Sequence, residues 1–96
     1  MWKIGNRRRG DRGEYVGRPS PLGNPFVMRS ESQRDGVVDA YARWLSERMK
    51  EDGPERAEIE RIAALDDGTL LCWCHPALCH ADVIRDWIER VRAGRA

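Results

Sequence analysis

The chain has 96 residues, enough for one domain with one core, and 41% of them are hydrophobic, which suffices to fill it. Its 17 lysines and arginines nearly cancel its 16 acidic residues, so a net charge of +1 gives no bulk drive toward nucleic acid or a charged membrane. No apolar run approaches the length of a membrane span and no secretion signal is visible. The three cysteines are an odd number, and Cys72 and Cys74, two apart on a predicted strand, are badly placed to bridge each other. A reducing, cytoplasmic setting is therefore expected.

The charge is uneven along the chain. Lys3, Arg7, Arg8, Arg9, Arg12 and Arg18 cluster at the start, whereas acidic residues dominate from Glu47 to Asp67. Trp2-Lys3-Ile4 reads as a short strand ended by Gly5-Asn6. Residues 7–13 read as a flexible basic loop, either a solvated turn or a phosphate-contacting arm. Glu14-Tyr15-Val16 is a second strand. It runs into Gly17-Arg18-Pro19-Ser20-Pro21-Leu22-Gly23-Asn24-Pro25-Phe26, too rich in Gly and Pro for helix or central strand. Three prolines fix φ and two of the glycines permit close backbone approach, so this loop is stiff. It is either a ligand-binding edge or a structural turn that tucks Leu22 and Phe26 into the core.

Ser32 and Asp35 have capping-box spacing, and the helix that follows extends to about Glu51. Val37, Val38, Tyr41, Trp44, Leu45 and Met49 form its apolar face. Asp52-Gly53-Pro54 ends it and begins a second helix, with Pro54 suited to the first helical position and Ile59, Ile62, Ala63 and Leu65 on its inner face. After the turn signal Asp66-Asp67-Gly68, residues Thr69 to Cys74 form a third, apolar strand, stopped by His75-Pro76. From about His80 to Ala93-Gly94 the period is helical again, with Val83, Ile84, Trp87, Ile88 and Val91 on one stripe. The expectation is a small single-domain α/β fold over residues 1–96. Its mixed sheet of about three strands packs with three helices in the order β-β-α-α-β-α. Trp44 and Trp87 belong to the core, Trp73 faces away from Cys72 and Cys74, and Trp2 covers an edge.

Two stretches together resemble the DUF4326 family: Tyr15 to Phe26, and Leu71-Cys72-Trp73-Cys74 with Cys79-His80, joined by a helix bearing Tyr41 and Trp44-Leu45. The family pattern is a strand, G-R-x-S-P-L-G-N-P-F, a helix, C-x-C-x-P-x-x-C-H and a final helix, and the match covers nearly the whole chain. His75 is not carried over from that pattern. The Leu71 to His80 segment is also similar to the corresponding strand-to-helix segment of the DUF488 proteins. The resemblance implies a bacteriophage or bacterial protein of unassigned function and supplies no reaction.

The cysteine-rich segment offers three chemistries. Cys72, Cys74, Cys79 and His75 are the ligand types of a zinc site, although C-x-C and C-x₄-C are not the usual knuckle spacings. His75 fits that role better than His80, which would project about 100° from Cys79 on a helix. Alternatively, Cys79 at a helix start beside His80 suits a catalytic, activated thiol, or Cys72 and Cys74 are ordinary buried small residues on a strand and Cys79-His80 is a helix-start contact. Third, if the second and third strands are parallel neighbours, the Gly17–Phe26 loop and the His75–His80 loop meet on one edge. Gly17, Arg18, Ser20, Gly23 and Asn24 would then face Cys79 and His80 around a nucleotide or other small anionic ligand. That is the leading function. A zinc-stabilised adaptor for a host or phage protein, and a nucleic-acid accessory protein using the basic loop, are the alternatives; no membrane partner is expected.

Overall fold

A computed structural model describes residues 2–26, 28–73 and 79–94. Strand β1 (Lys3–Asn6), strand β2 (Glu14–Tyr15), helix α1 (Arg34–Arg48), helix α2 (Pro54–Ala63), strand β3 (Thr69–Cys72) and helix α3 (His80–Gly94) follow in that order. The expected α/β architecture and element order are therefore present. The sheet is wholly parallel rather than mixed, with β3 between β1 and β2. Ile4 pairs with Leu70 and Gly5 with Leu71 on one side, and Tyr15 pairs with Leu71 on the other. The most apolar strand is thus the central one, since only there are both edges paired and both faces covered.

Alternation along β3 divides the sheet into two faces. Leu70 and Cys72 join the main core, with Ile4 packed against it. That core is completed by Tyr41 and Leu45 of α1, Ile59 and Ile62 of α2, and Ile84 and Ile88 of α3. Leu71, also buried, and Trp73 belong to the opposite side. There the 7–13 connection crosses from β1 to β2 over β3. A Cβ at Gly5 would meet Thr69 and the Asp11 side chain of this connection. The connection is shorter than the helical crossovers that usually join parallel strands, and β2 is correspondingly short.

The 7–13 segment carries local structure of its own. Arg7–Arg9 form one 3₁₀ turn, whose Asn6 side chain accepts from the Arg8 N–H at 2.8 Å. Asp11 Oδ2 accepts from the Asn6 N–H at 2.9 Å. Trp2 does not merely cover an edge: it is 3% exposed and lies in the core, with Gly68 against its ring. Trp44 and Trp87 pack against the core while remaining half-buried.

Helix boundaries shift where local chemistry overrides pattern. A 3₁₀ turn at Glu31–Gln33 precedes α1, which starts at Arg34 without a side-chain cap. The anticipated Ser32–Asp35 capping box is absent. Ser32 instead shares a hydroxyl hydrogen bond with Ser30 (2.8 Å), and Gln33 Oε1 accepts from the Arg29 N–H (2.8 Å). Pro54 opens α2 as expected, where its missing N–H costs no helical bond. Strand β3 ends at Cys72; Cys74, His75 and the end of the anticipated strand lie outside the described residues.

Candidate functional site

Because β2 and β3 run parallel, their carboxyl ends open on the same edge, and the segment after β2 comes to lie beside the start of α3. Gly17, Arg18, Asn24, Cys79 and His80, all anticipated as site residues, line one cavity of about 380 Å³. Ligand pockets commonly begin at about 300 Å³. Ser20 and Gly23 do not line it. They shape the loop instead: the Ser20 N–H donates to the Gly17 carbonyl and the Gly23 N–H to the Ser20 carbonyl, both at 2.9 Å.

Sequence determines this loop through two close approaches. A Cβ at Gly17 would come within 2.4 Å of the Tyr15 hydroxyl, and one at Gly23 within 2.9 Å of the Arg18 backbone. Leu22 is driven into the core, as one reading of the loop required, whereas Phe26 stays exposed and lines the cavity. The buried Tyr41 hydroxyl donates to the Leu22 carbonyl at 2.7 Å, pinning the loop to α1. Burial holds the Tyr41 phenol far above its usual pKa, so it remains a donor.

His80 sits at the first turn of α3 with Nε2 2.8 Å from the Val16 carbonyl oxygen. A carbonyl only accepts, so Nε2 carries the proton and Nδ1 keeps the lone pair. Burial pushes the His80 pKa down. The Val16 carbonyl opposes that shift, the Arg18 charge adds to it, and Asp82 opposes it. Tyr41 packs edge-on against the imidazole, with ring centres 5.1 Å apart. The ring is therefore a fixed, neutral group whose second nitrogen can accept a proton or hydrogen bond.

Cys79 is 2% exposed, and its thiol donates to the Cys72 sulfur at 3.1 Å; Cys72 in turn donates to the Gly5 carbonyl at 3.7 Å. The helix tip is not an open anion cradle. Asp82 Oδ2 accepts from the Cys79 N–H at 3.1 Å, so the helix meets this N–H with a carboxylate of its own. Positive charge in the cavity comes instead from side chains. Glu31 holds Arg34 through two bonds of 2.8 and 2.6 Å. Arg18 has no carboxylate partner among the described residues. The Asn24 side-chain oxygen accepts from the Phe26 N–H at 2.8 Å, leaving its amide N–H groups as donors.

The remaining walls were not anticipated as site residues. Tyr15 and Trp73 form one, beside Phe26, Met28, Val37 and Val38. Trp73 Nε1 donates to the Tyr15 hydroxyl at 3.0 Å, and that hydroxyl donates to the Arg18 carbonyl at 2.8 Å. Their rings meet edge-on with centres 6.3 Å apart. Trp73 is 45% exposed. Its role follows from strand order: Tyr15 pairs with Leu71, and Trp73 lies two residues further along the same face. No linear motif carries that adjacency. Trp2 is buried and presents no stacking face, whereas the exposed Trp73 lies beside Arg7 and Arg8.

Of the anticipated zinc ligands, Cys72 and Cys79 are brought together, and Cys74 and His75 lie outside the described residues. Among the described residues no group of three metal-ligating side chains forms, and no helix is long and apolar enough to cross a membrane. No curated protein and no solved structure matches the chain. A family model described as a domain of unknown function, DUF4326, matches residues 3–90. With that match spanning both the Gly-Pro loop and the Cys-His segment, the chain belongs to the DUF4326 family.

Proposed function

We propose that this domain binds a nucleotide in the cavity between the Gly17–Phe26 loop and the start of α3. The observation that carries the reading is the convergence of Arg18, Asn24 and His80 on one cavity whose other walls are aromatic and aliphatic. A few polar groups set among apolar walls are the usual make-up of a small-molecule site. Arg18 meets the anionic end of the ligand, the Asn24 amide orients it, and His80 accepts a hydrogen bond at Nδ1. Tyr15, Trp73 and Phe26 flank a planar ring. Cys79 lines the same cavity with its thiol held on the Cys72 sulfur.

Calorimetric titration with nucleoside mono-, di- and triphosphates and with inorganic phosphate tests this. A nucleotide is expected to bind more tightly than phosphate. Arg18→Ala should weaken it by roughly tenfold or more, as loss of a hydrogen bond to a charged group costs about 1.5–3 kcal/mol. Failure of every nucleotide to bind at millimolar concentration would rule the reading out.

One contact favours a second reading, a zinc-stabilised adaptor. The Cys72 and Cys79 sulfurs approach to 3.1 Å across the β3–α3 connection, and two thiols so close are half of a tetrahedral thiolate set. Metal analysis of protein purified without added zinc decides it: one equivalent supports the adaptor, and none removes it.

A further inference from the structure

The 7–13 connection carries four exposed arginines, Arg7, Arg8, Arg9 and Arg12, and none of them pairs with a carboxylate among the described residues. Its one acid, Asp11, is engaged by the Asn6 N–H. The arm is held in place by the 3₁₀ turn and its Asn6 cap, so its charges are presented rather than dispersed.

Two of these arginines border the cavity. The Arg7 guanidinium lies 4.5 Å from the Tyr15 ring centre and 5.7 Å from that of Trp73, and Arg8 lies 5.8 Å from Trp73. Tyr15 and Trp73 are also cavity wall. The aromatic pair is therefore shared between the enclosed site and the open basic surface. A free phosphate needs no exposed aromatic ring, and an acidic peptide needs none beside each arginine. Guanidinium groups without a carboxylate partner, set beside the exposed Trp73 indole and the half-buried Tyr15 ring, suit a chain that alternates phosphates with bases.

We propose that cavity and arm form one continuous tract for single-stranded nucleic acid. A terminal nucleotide occupies the cavity, the next base lies against Trp73, and the following phosphates meet Arg7 and Arg8. The inference rests on the cavity being a nucleotide site and extends it from a mononucleotide to a strand end.

Fluorescence anisotropy of end-labelled dT8 and rU8, competed by dTMP and UMP, tests it on the full chain. The octamers are expected to bind about tenfold or more tighter than the mononucleotides, with Trp73→Leu losing on the order of tenfold. The double variant R7A/R8A should bind the octamer more weakly than the native chain does while keeping its affinity for the mononucleotide. Its slope of log affinity against log salt should fall by about 1.4, for two lost contacts to a single strand. Preference between dT8 and rU8 identifies which strand is read. Mononucleotide binding without any gain for the octamers overturns the tract and leaves the cavity reading standing. Failure of mononucleotides and octamers alike overturns both. Salt-dependent binding of poly-glutamate with no binding of either octamer also overturns the tract, in favour of an acidic protein partner.

Discussion

On the helices, arginines sit beside carboxylates: Arg43 with Asp39, Arg56 with Glu60, Arg61 with Glu58 and Glu14, Arg92 with Asp67. Arg90 instead stacks on Trp87, 5.0 Å from its ring centre. On the 7–13 connection Arg7 and Arg8 lie against aromatic rings, and none of its four arginines forms an ion pair among the described residues. The two regions carry the same residue type to different ends. Exposed helical pairs contribute about 0–1 kcal/mol each and largely cancel one another's field. The arm leaves its field uncancelled beside a cavity, which is where a phosphate would feel it. A net charge of +1 conceals this difference, because the average mixes a neutralised helical surface with a basic edge.

Core substitution at the strand both regions share should break the comparison most severely. Leu70, fully buried on β3, supports the helices and lies between β1 and β2, the strands that the 7–13 connection joins. Leu70→Ala should destabilise the domain by about 2–5 kcal/mol in urea denaturation, as large-to-small core changes do. A smaller effect is expected at the tie between loop and helix. Tyr41→Phe strands the buried Leu22 carbonyl and should cost about 1–3 kcal/mol. It should also loosen the loop and weaken nucleotide binding more than R43A does. Equal binding by the two variants would show that the pin plays no part in the site.

Acidification sharpens the contrast further. The folded-state pKa of His80 is depressed, so the unfolded chain takes up a proton first as pH falls. The stability from its neutral burial is fully present above the unfolded value of about 6.5, and is lost as pH drops through the lower folded value. Thermal melts from pH 7.5 to 5 should therefore fall more steeply for the native chain than for His80→Gln. The smallest effect belongs to the helical surface. Asp39→Asn should change stability by no more than about 0.5 kcal/mol, measured by the urea midpoint, and leave oligonucleotide binding as it was.

Much of the fold is legible in the chain because its elements announce themselves locally. The Pro54 start of α2, the stripe Ile84–Ile88 on α3 and the apolar run at Thr69–Cys72 each follow from a period or a turn signal. The parallel placing of β1 and β2 on either side of β3 is not local. No property of Lys3–Asn6 or Glu14–Tyr15 states which strand each will pair with. The same reason explains the site. Gly17, Arg18, Asn24, Cys79 and His80 belong to motifs dense enough to be singled out. Tyr15 and Trp73 acquire meaning only from register, since their neighbours along the chain differ from their neighbours in space. Ser32 does not cap α1 because it lies inside the preceding 3₁₀ turn, with its hydroxyl on that of Ser30.

The central claim is that loop and helix start act as one binding site, and amide chemical-shift mapping tests it most directly. Titration of the nitrogen-15-labelled chain with the tightest-binding nucleotide should move the amides of Gly17, Arg18, Asn24, Cys79 and His80 together, along one saturation curve. The helical surface around Arg43 and Arg56 should stay still. Saturable shifts centred on that helical surface, with the loop and the start of α3 unmoved, would contradict the account.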